Sequence, residues 1–189
     1  MQIHLVRHGK TSANEKRLYC GQTDLPLSEN GFSEITLLTK QGVYPRADIF
    51  FTSGLLRAEQ TLQLIYGEIN RITDPRISEF NFGLFEMKSY DELKDRADYQ
   101  AWITDETGGV QCPRGESKRQ FETRVLAGYN ALVEETRNSK KVSAFVVCHG
   151  GVIACIMEYL HPGTRNFYER QPQPGRGYTL FSDKMYEPI

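Results

Sequence analysis

The stretch V-S-A-F-V-V-C-H-G-G at 142–151 decides the fold prediction. Val142 to Val147 is a nearly continuous apolar run, which is typical of a strand covered on both faces. His149 and two glycines follow it, and residues 152–160 then carry apolar side chains at helical spacing. A buried strand that leads directly into a helix is the repeating unit of an α/β domain with a mostly parallel sheet.

The same alternation continues through the rest of the chain. Further strands are predicted at 3–6, 48–51, 71–78 and 178–181, the third of them interrupted by Pro75. Further helices are predicted from Ser28 to about Gly42, over 55–69, and from Ser117, where Gln120 completes a capping box. We therefore predict one domain over 1–189, a three-layer α/β/α sandwich with a mostly parallel central sheet.

The segment 83–115 is the exception to this alternation. Its periodicity is weak, with short helical stretches near 90–96 and 99–104 and a Gly- and Pro-rich end. This segment is called the cap below.

Composition narrows the class of protein. Lys and Arg total 23 against 24 Asp and Glu, so the net charge is −1. The sequence therefore lacks the basic excess that is typical of nucleic-acid-binding proteins. No stretch approaches the ~18 consecutive apolar residues of a membrane span, and the N-terminus does not resemble a signal peptide. None of the four cysteines forms a C-x-x-C pair, which favours reduced thiols in a cytoplasmic protein. Oligomeric state cannot be read from the sequence.

Polar side chains follow each predicted strand. Arg7 and His8 follow the first, Arg57 lies one turn into the helix after the second, Glu79 follows the third, and His149 follows the buried strand. The carboxyl ends of parallel strands meet at one sheet edge, so these side chains should share a crevice. Each has an ordinary explanation alone, as a surface ion pair or a turn residue. Together, two guanidinium groups among imidazoles match a phosphate dianion.

The sequence also resembles the histidine phosphatase (phosphoglycerate mutase-like) superfamily. The resemblance runs through six motifs in chain order, namely L-V-R-H-G-K-T at 5–11, G-Q-T-D-L-P-L-S-E-N-G at 21–31, T-S-G-L-L-R-A-E-Q-T at 52–61, E-F-N-F-G-L-F-E at 79–86, G-E-S at 115–117 and V-C-H-G-G at 147–151. Six motifs in order are far more specific than R-H-G alone. The resemblance implies a phosphoglycerate mutase-like fold.

The resemblance also implies a mechanism, in which His8 is phosphorylated and Glu79 serves as general acid and then base. The phosphoryl oxygens would be held by a set of side chains and a helix start around that histidine, namely Arg7, Asn14, Arg57, His149 and Gly150. The expected reaction is hydrolysis of a small phosphorylated metabolite, such as α-ribazole phosphate or a sugar phosphate. This scheme requires neither a metal nor a cofactor.

Residues that contact the rest of the substrate are predicted from the second motif and the cap, namely Gly21, Gln22, Thr23, Tyr90, Trp102 and Arg114. The alternative for the aromatic members is that they are simply core. The chain also departs from the family pattern twice. Met87 follows Phe85-Glu86 where W-E-G is usual, and Arg114 stands where glycine is frequent.

Three other functions stay open. A phosphoglycerate mutase is one, although the basic residue usual beside the acid in E-R-x-Y-G is missing from Glu79-Phe80-Asn81. A metal hydrolase is another, since two histidines and a glutamate can bind a metal, but Arg7 would repel the ion. A non-catalytic phosphoryl-binding module is the third, and the complete set of site residues counts against it.

Overall fold

A computed structural model describes residues 1–163, 167–182 and 185–189. Its strands are β1 (Gln2–Arg7), β2 (Ile49–Thr52), β3 (Ile72–Thr73), β4 (Ser143–Cys148), β5 (Gly177–Phe181) and β6 (Tyr186–Pro188). They form one six-stranded sheet in the order β3-β2-β4-β1-β5-β6. The first four strands in this order are mutually parallel, β5 pairs antiparallel with β1, and β6 pairs antiparallel with β5. The predicted α/β fold with a mostly parallel sheet is confirmed.

Seven helices accompany the sheet within the described residues, namely α1 (Ser12–Glu15), α2 (Glu29–Lys40), α3 (Leu56–Tyr66), α4 (Tyr90–Leu93), α5 (Ala97–Ile103), α6 (Lys118–Asn138) and α7 (Gly150–Leu160). Two helix starts follow the sequence signals closely. Ser28 caps α2 by accepting a hydrogen bond from the Gly31 amide at 3.1 Å. Ser117 and Gln120 form the predicted capping box at the start of α6.

Local chemistry shortened two predicted elements. The helix predicted over 55–69 ends at Tyr66, because Gly67 takes a positive φ of 75° that stops it. The strand predicted over 71–78 shrinks to β3, because Pro75 begins a 3₁₀ turn over Pro75–Ile77. Between β1 and α2 lies the short helix α1, which was not predicted and which Thr11 begins by accepting a hydrogen bond from the Asn14 amide.

The sheet is buried on both faces, as the apolar run in β4 indicates. Ala144, Val146 and Cys148 face one hydrophobic cluster, which includes side chains from α6 and α7. Phe145 and Val147 face the opposite cluster, which α3 covers. Alternate residues of one strand therefore enter two cores, and this produces the predicted three layers.

In the described part of the chain, no helix is both long and apolar enough to cross a membrane. All four cysteines carry free thiols, and three of them are buried.

Candidate active site

The register of β1 against β4 brings the two histidines together. Arg7 pairs with Cys148 at the last step of this parallel ladder, so the next residue of each strand emerges at the same edge. The His8 amide donates to the Cys148 carbonyl at 3.0 Å, and the rings of His8 and His149 lie 5.0 Å apart between centroids. Two residues that are distant in sequence thus become neighbours through strand pairing alone.

His8 is held as a neutral imidazole with one free ring nitrogen. Its Nδ1 lies 2.7 Å from the Gly9 carbonyl oxygen. Because a carbonyl can only accept, Nδ1 carries the hydrogen and Nε2 keeps its lone pair. Burial lowers the pKa of His8 well below its usual value, and the charges of Arg57 and Arg7 lower it further.

His149 is also buried and neutral. Its Nε2 lies 2.8 Å from the hydroxyl oxygen of Ser53, in the turn after β2. When that hydroxyl donates to Nε2, the ring hydrogen sits on Nδ1, which has no partner among the described residues. Burial lowers the pKa of His149 well below its usual value, and the charge of Arg57 lowers this pKa further. In this tautomer His149 presents an unused, uncharged donor at Nδ1.

Arg57 lies in the first turn of α3 and is 1% exposed. It donates to the Gly21 carbonyl at 2.7 Å and to the Thr23 carbonyl at 3.0 Å. The opposite side of this 21–23 loop is held by Glu86, whose carboxylate accepts from the amides of Gly21, Gln22 and Thr23. Glu86 stands in the fourth of the six motifs, but its role as the anchor of this loop was not predicted.

Arg7 approaches the start of α7 closely. A Cβ atom at Gly150 would lie 3.1 Å from the Arg7 guanidinium carbon, so glycine there allows the close approach. Arg7 donates to the Pro172 carbonyl at 2.9 Å. Its buried Nε has no partner among the described residues. Arg7 Nε and His149 Nδ1 are thus two buried donors that an anion with several oxygens would satisfy.

Glu79 is half-buried beside the same helix start. One carboxylate oxygen accepts from the Phe80 amide and the other from the Gly151 amide, both at 2.9 Å. A Cβ at residue 151 would come within 2.4 Å of the carboxylate, so glycine there lets the carboxylate lie against the helix start. Gln22 donates its side-chain amide to the Glu79 carbonyl at 2.6 Å, which ties the acid to the loop that Arg57 contacts.

Asn14 and Arg7 line a cavity of about 580 Å³ next to this cluster. The Asn14 side-chain oxygen is used within the Thr11 capping box, so its amide hydrogens stay available. The other described residues of the lining are mostly polar and include no aromatic side chain, namely Lys10, Glu15, Arg17, Leu18, Asn30, Glu34, Gln173 and Pro174.

The predicted substrate-binding residues fall into two groups. Gly21, Gln22 and Thr23 lie in the loop beside Arg57, and a Cβ at Gly21 would overlap the Phe80 carbonyl. Trp102 is only 5% exposed and packs where the cap meets the main hydrophobic cluster, against the rings of Phe80, Phe82, Phe85, Tyr19 and Tyr99. Tyr90 and Arg114 are exposed. The alternative that the aromatic side chains are core fits Trp102.

The two departures from the family pattern share a backbone conformation. Met87 and Arg114 both have a φ of 59°, in the left-handed region that favours glycine. The loops around them therefore keep a shape suited to glycine, although a side chain is present at each. Met87 also donates its amide to the Tyr19 carbonyl at 2.7 Å.

The fold and the site define the class of this protein. Neutral imidazoles and guanidinium groups meet at the carboxyl edge of a parallel sheet, an arrangement whose chemistry suits a phosphoryl group. Among the described residues, no group of three His, Cys, Asp or Glu side chains is placed to hold a metal ion. The chain matches the model of the histidine phosphatase superfamily (branch 1) over residues 3–182, and it belongs to that superfamily. Members of this superfamily are generally phosphatases or mutases.

Similar proteins carry both kinds of name. A Yersinia pestis (strain Pestoides F) protein named "Probable phosphoglycerate mutase GpmB" is 30% identical over 163 residues, which are 85% of this chain and 74% of that protein. A structure from Escherichia coli described as "a putative alpha-ribazole-5'-P phosphatase" superposes with a TM-score of 0.85 at 25% identity, over 100% of this chain and 94% of that one. A phosphoglycerate mutase structure from Thermus thermophilus gives 0.77 at 28% identity, over 99% and 96%.

Proposed function

We propose that this protein hydrolyses a small phosphomonoester through a phosphohistidine intermediate on His8. The observation that carries the proposal is the state of that side chain, a buried neutral imidazole with a free Nε2 beside two guanidinium groups. A neutral imidazole is a nucleophile, and the cations that keep it neutral also stabilise the transferring phosphoryl group. The two unpartnered donors, Arg7 Nε and His149 Nδ1, supply hydrogen bonds to its oxygens.

In the first step the Nε2 lone pair of His8 attacks phosphorus and the ester P–O bond breaks. The departing oxygen takes a proton from the protonated carboxyl of Glu79, so a neutral alcohol leaves. The N–P bond formed replaces the P–O bond lost, and the negative charges stay on the phosphoryl oxygens facing Arg7 and Arg57.

In the second step the Glu79 carboxylate removes a proton from water. The water oxygen attacks phosphorus, the N–P bond breaks, and its electron pair returns to His8 Nε2. Phosphate leaves, and both Glu79 and the imidazole are back in their starting protonation states. No metal ion or cofactor takes part in either step of this scheme.

Transfer to water rather than to a second phosphorylated molecule is favoured by the segment after the acid. Glu79 is followed by Phe80, Asn81 and Phe82, so the basic residue typical of mutases is missing. A phosphatase releases inorganic phosphate from its substrate, whereas a mutase requires 3-phosphoglycerate as acceptor. Measuring phosphate release with and without that acceptor separates the two reactions.

The cavity beside Arg7 supports a sugar phosphate over α-ribazole phosphate. Its lining offers both donors and acceptors, such as Asn14, Asn30 and Glu34, and hydroxyl groups can serve as either. No aromatic ring of the described residues lines it, whereas the base of α-ribazole would be expected to stack on one. A panel of sugar phosphates and nucleoside phosphates, compared by kcat/KM, tests this preference.

The intermediate is tested by rapid-quench labelling with a ³²P-phosphorylated substrate. The wild type should acquire acid-labile, base-stable label, and His8→Ala should acquire none. His161→Ala is the matched control, because this histidine packs on Tyr186 outside the site, and it should label normally. Label on His8→Ala would remove His8 from the mechanism. An unlabelled wild type that still binds inorganic phosphate would instead indicate a non-catalytic phosphoryl-binding module.

A further inference from the structure

We propose that Arg124, on α6, is a positioning residue that sets the main-chain location of the general acid Glu79. The inference rests on the proposed function of Glu79 as that acid. Arg124 lies outside the cluster of histidines and arginines at the sheet edge, and the sequence analysis did not single it out.

The Arg124 guanidinium donates all five of its N–H groups, three to carbonyls in the segment 76–79 and two to the Glu116 carboxylate. One terminal nitrogen donates to the carbonyls of Arg76 and Ser78, both at 2.9 Å. The other donates to the Glu79 carbonyl at 3.2 Å and to the Glu116 carboxylate at 2.6 Å. Nε completes the set with the second Glu116 oxygen at 3.3 Å. Three carbonyls leading up to and including the acid are thus held by one side chain.

Glu116 holds the segment from its other side. The Glu116 oxygen that accepts from the terminal nitrogen of Arg124 also accepts from the Asn81 amide at 2.8 Å. The Glu116 amide in turn donates to the Asn81 carbonyl at 3.0 Å. The arginine and the glutamate therefore clamp the chain on both sides of Glu79.

The Arg124 and Glu116 clamp supplies hydrogen bonds to a segment that lies beyond the end of β3. The sheet strand β3 ends at Thr73, and only a 3₁₀ turn, Pro75–Ile77, lies between it and the acid. Carbonyls in such a segment need partners from side chains. Close packing of α6 is made possible by Gly128, since a Cβ there would lie 2.9 Å from the Arg76 Cβ.

The position of the Glu79 backbone matters because the carboxylate can meet its two amide partners only when the main chain at Glu79 and Phe80 is correctly placed. Its two oxygens have the Phe80 and Gly151 amides as partners. A shift of about 1 Å in a proton donor can cost about 100-fold in rate. Lysine cannot replace Arg124, because an ammonium has three donors around one point whereas the guanidinium presents a planar fork.

The test measures kcat/KM for aryl phosphates of graded leaving-group pKa and for an alkyl phosphate. This ratio covers only the steps up to phosphorylation of His8, in which the leaving oxygen needs a proton. An alkyl alcohol needs that proton, whereas p-nitrophenolate leaves without it. Glu79→Gln should therefore lose about 100-fold or more on the alkyl ester and far less on p-nitrophenyl phosphate.

Arg124→Lys should show the same selective loss in milder form, about 10- to 100-fold on the alkyl ester and less than about 3-fold on p-nitrophenyl phosphate. Glu116→Gln, which keeps the size of the side chain, should act in the same direction more weakly and covers the case in which Arg124→Lys does not fold. Arg137→Ala is the control, because this arginine is exposed at the last turn of the same helix, and it should match the wild type.

The outcomes separate the inference from the function it rests on. Equal losses on all esters in both clamp variants would mean a merely structural role and overturn the positioning proposal. A selective loss in Glu79→Gln with none in the clamp variants would also overturn it and leave the proposed function intact. If Glu79→Gln itself shows no leaving-group dependence, the general-acid role fails.

Discussion

The residues at the sheet edge and the cap are built by different means. Arg7, His8, Arg57 and His149, called the floor below, are placed by strand register and by the first turns of α3 and α7. The cap, 83–115, which the structure describes throughout, contains no sheet strand and packs on an aromatic cluster around Trp102. In the floor, hydrogen bonding of parallel strands fixes the positions of the reacting groups. In the cap, ring packing fixes the shape, and Tyr90 and Arg114 remain exposed.

The largest expected effect separates packing from chemistry. Trp102→Ala should lower the free energy of unfolding by about 3–5 kcal/mol, because it empties the centre of the cap cluster. The kcat/KM of the folded fraction should stay within about 3-fold of wild type, less than about 1 kcal/mol. Urea denaturation and steady-state kinetics measure the two quantities, with Trp102→Phe as the milder control. A kcat/KM loss of the size expected for a floor residue would make Trp102 part of the substrate site.

A change in the floor should instead lower catalytic activity. Arg57→Lys keeps the charge but cannot donate to the Gly21 and Thr23 carbonyls and to a phosphoryl oxygen together. We expect kcat to fall about 10²- to 10³-fold. The control is Lys40→Arg on the exposed end of α2. It exchanges the same two side chains in the opposite direction, away from the floor. Full activity in Arg57→Lys would show that only positive charge is required there.

The floor, unlike the cap, is expected to make the stability of the protein depend on pH. All buried histidines of the described chain lie outside the cap, and the pKa values of His8 and His149 are lowered in the folded chain. Below the unfolded value of about 6.5, the unfolded chain binds protons that the folded chain does not. The stability contributed by these neutral histidines is therefore fully present above about pH 6.5 and falls as the pH drops.

The expected slope is about 1.4 kcal/mol per pH unit for each such histidine. Urea denaturation between about pH 5 and 6.5 should show it, and His8→Gln should reduce it by one histidine's share. His161→Gln serves as the comparison variant. An unchanged slope in His8→Gln would mean that this imidazole is protonated in the folded chain.

The smallest expected effect tests strain in the cap. Met87→Gly relieves a left-handed residue that costs about 1–2 kcal/mol, but glycine loses about 0.5–1 kcal/mol of backbone entropy on folding. The net gain in stability should be below about 1 kcal/mol, seen as a small rise in Tm. Met87→Ala keeps the Cβ and should gain nothing. Equal Tm values for the two variants would show that the backbone at Met87 is not strained.

The sequence determined the fold class, the two capped helices and the cluster of site residues, because each depends on local patterns. A buried apolar run, a capping box and the R-H-G and H-G-G turns carry their meaning within a few residues, and the parallel-sheet rule then brings their ends together. The shortened strand β3 and the end of α3 were within reach of the same rules, through Pro75 and Gly67.

Only the tertiary structure decided the anchors of the site. Glu86 holds the 21–23 loop and Arg124 holds the segment before Glu79, and each contacts backbone atoms more than 40 positions away in sequence. Backbone carbonyls and amides are identical in every residue, so no sequence pattern marks which of them a distant side chain will bind. The same reason left Trp102 undecided between substrate wall and core, because an aromatic side chain suits both until its neighbours are known.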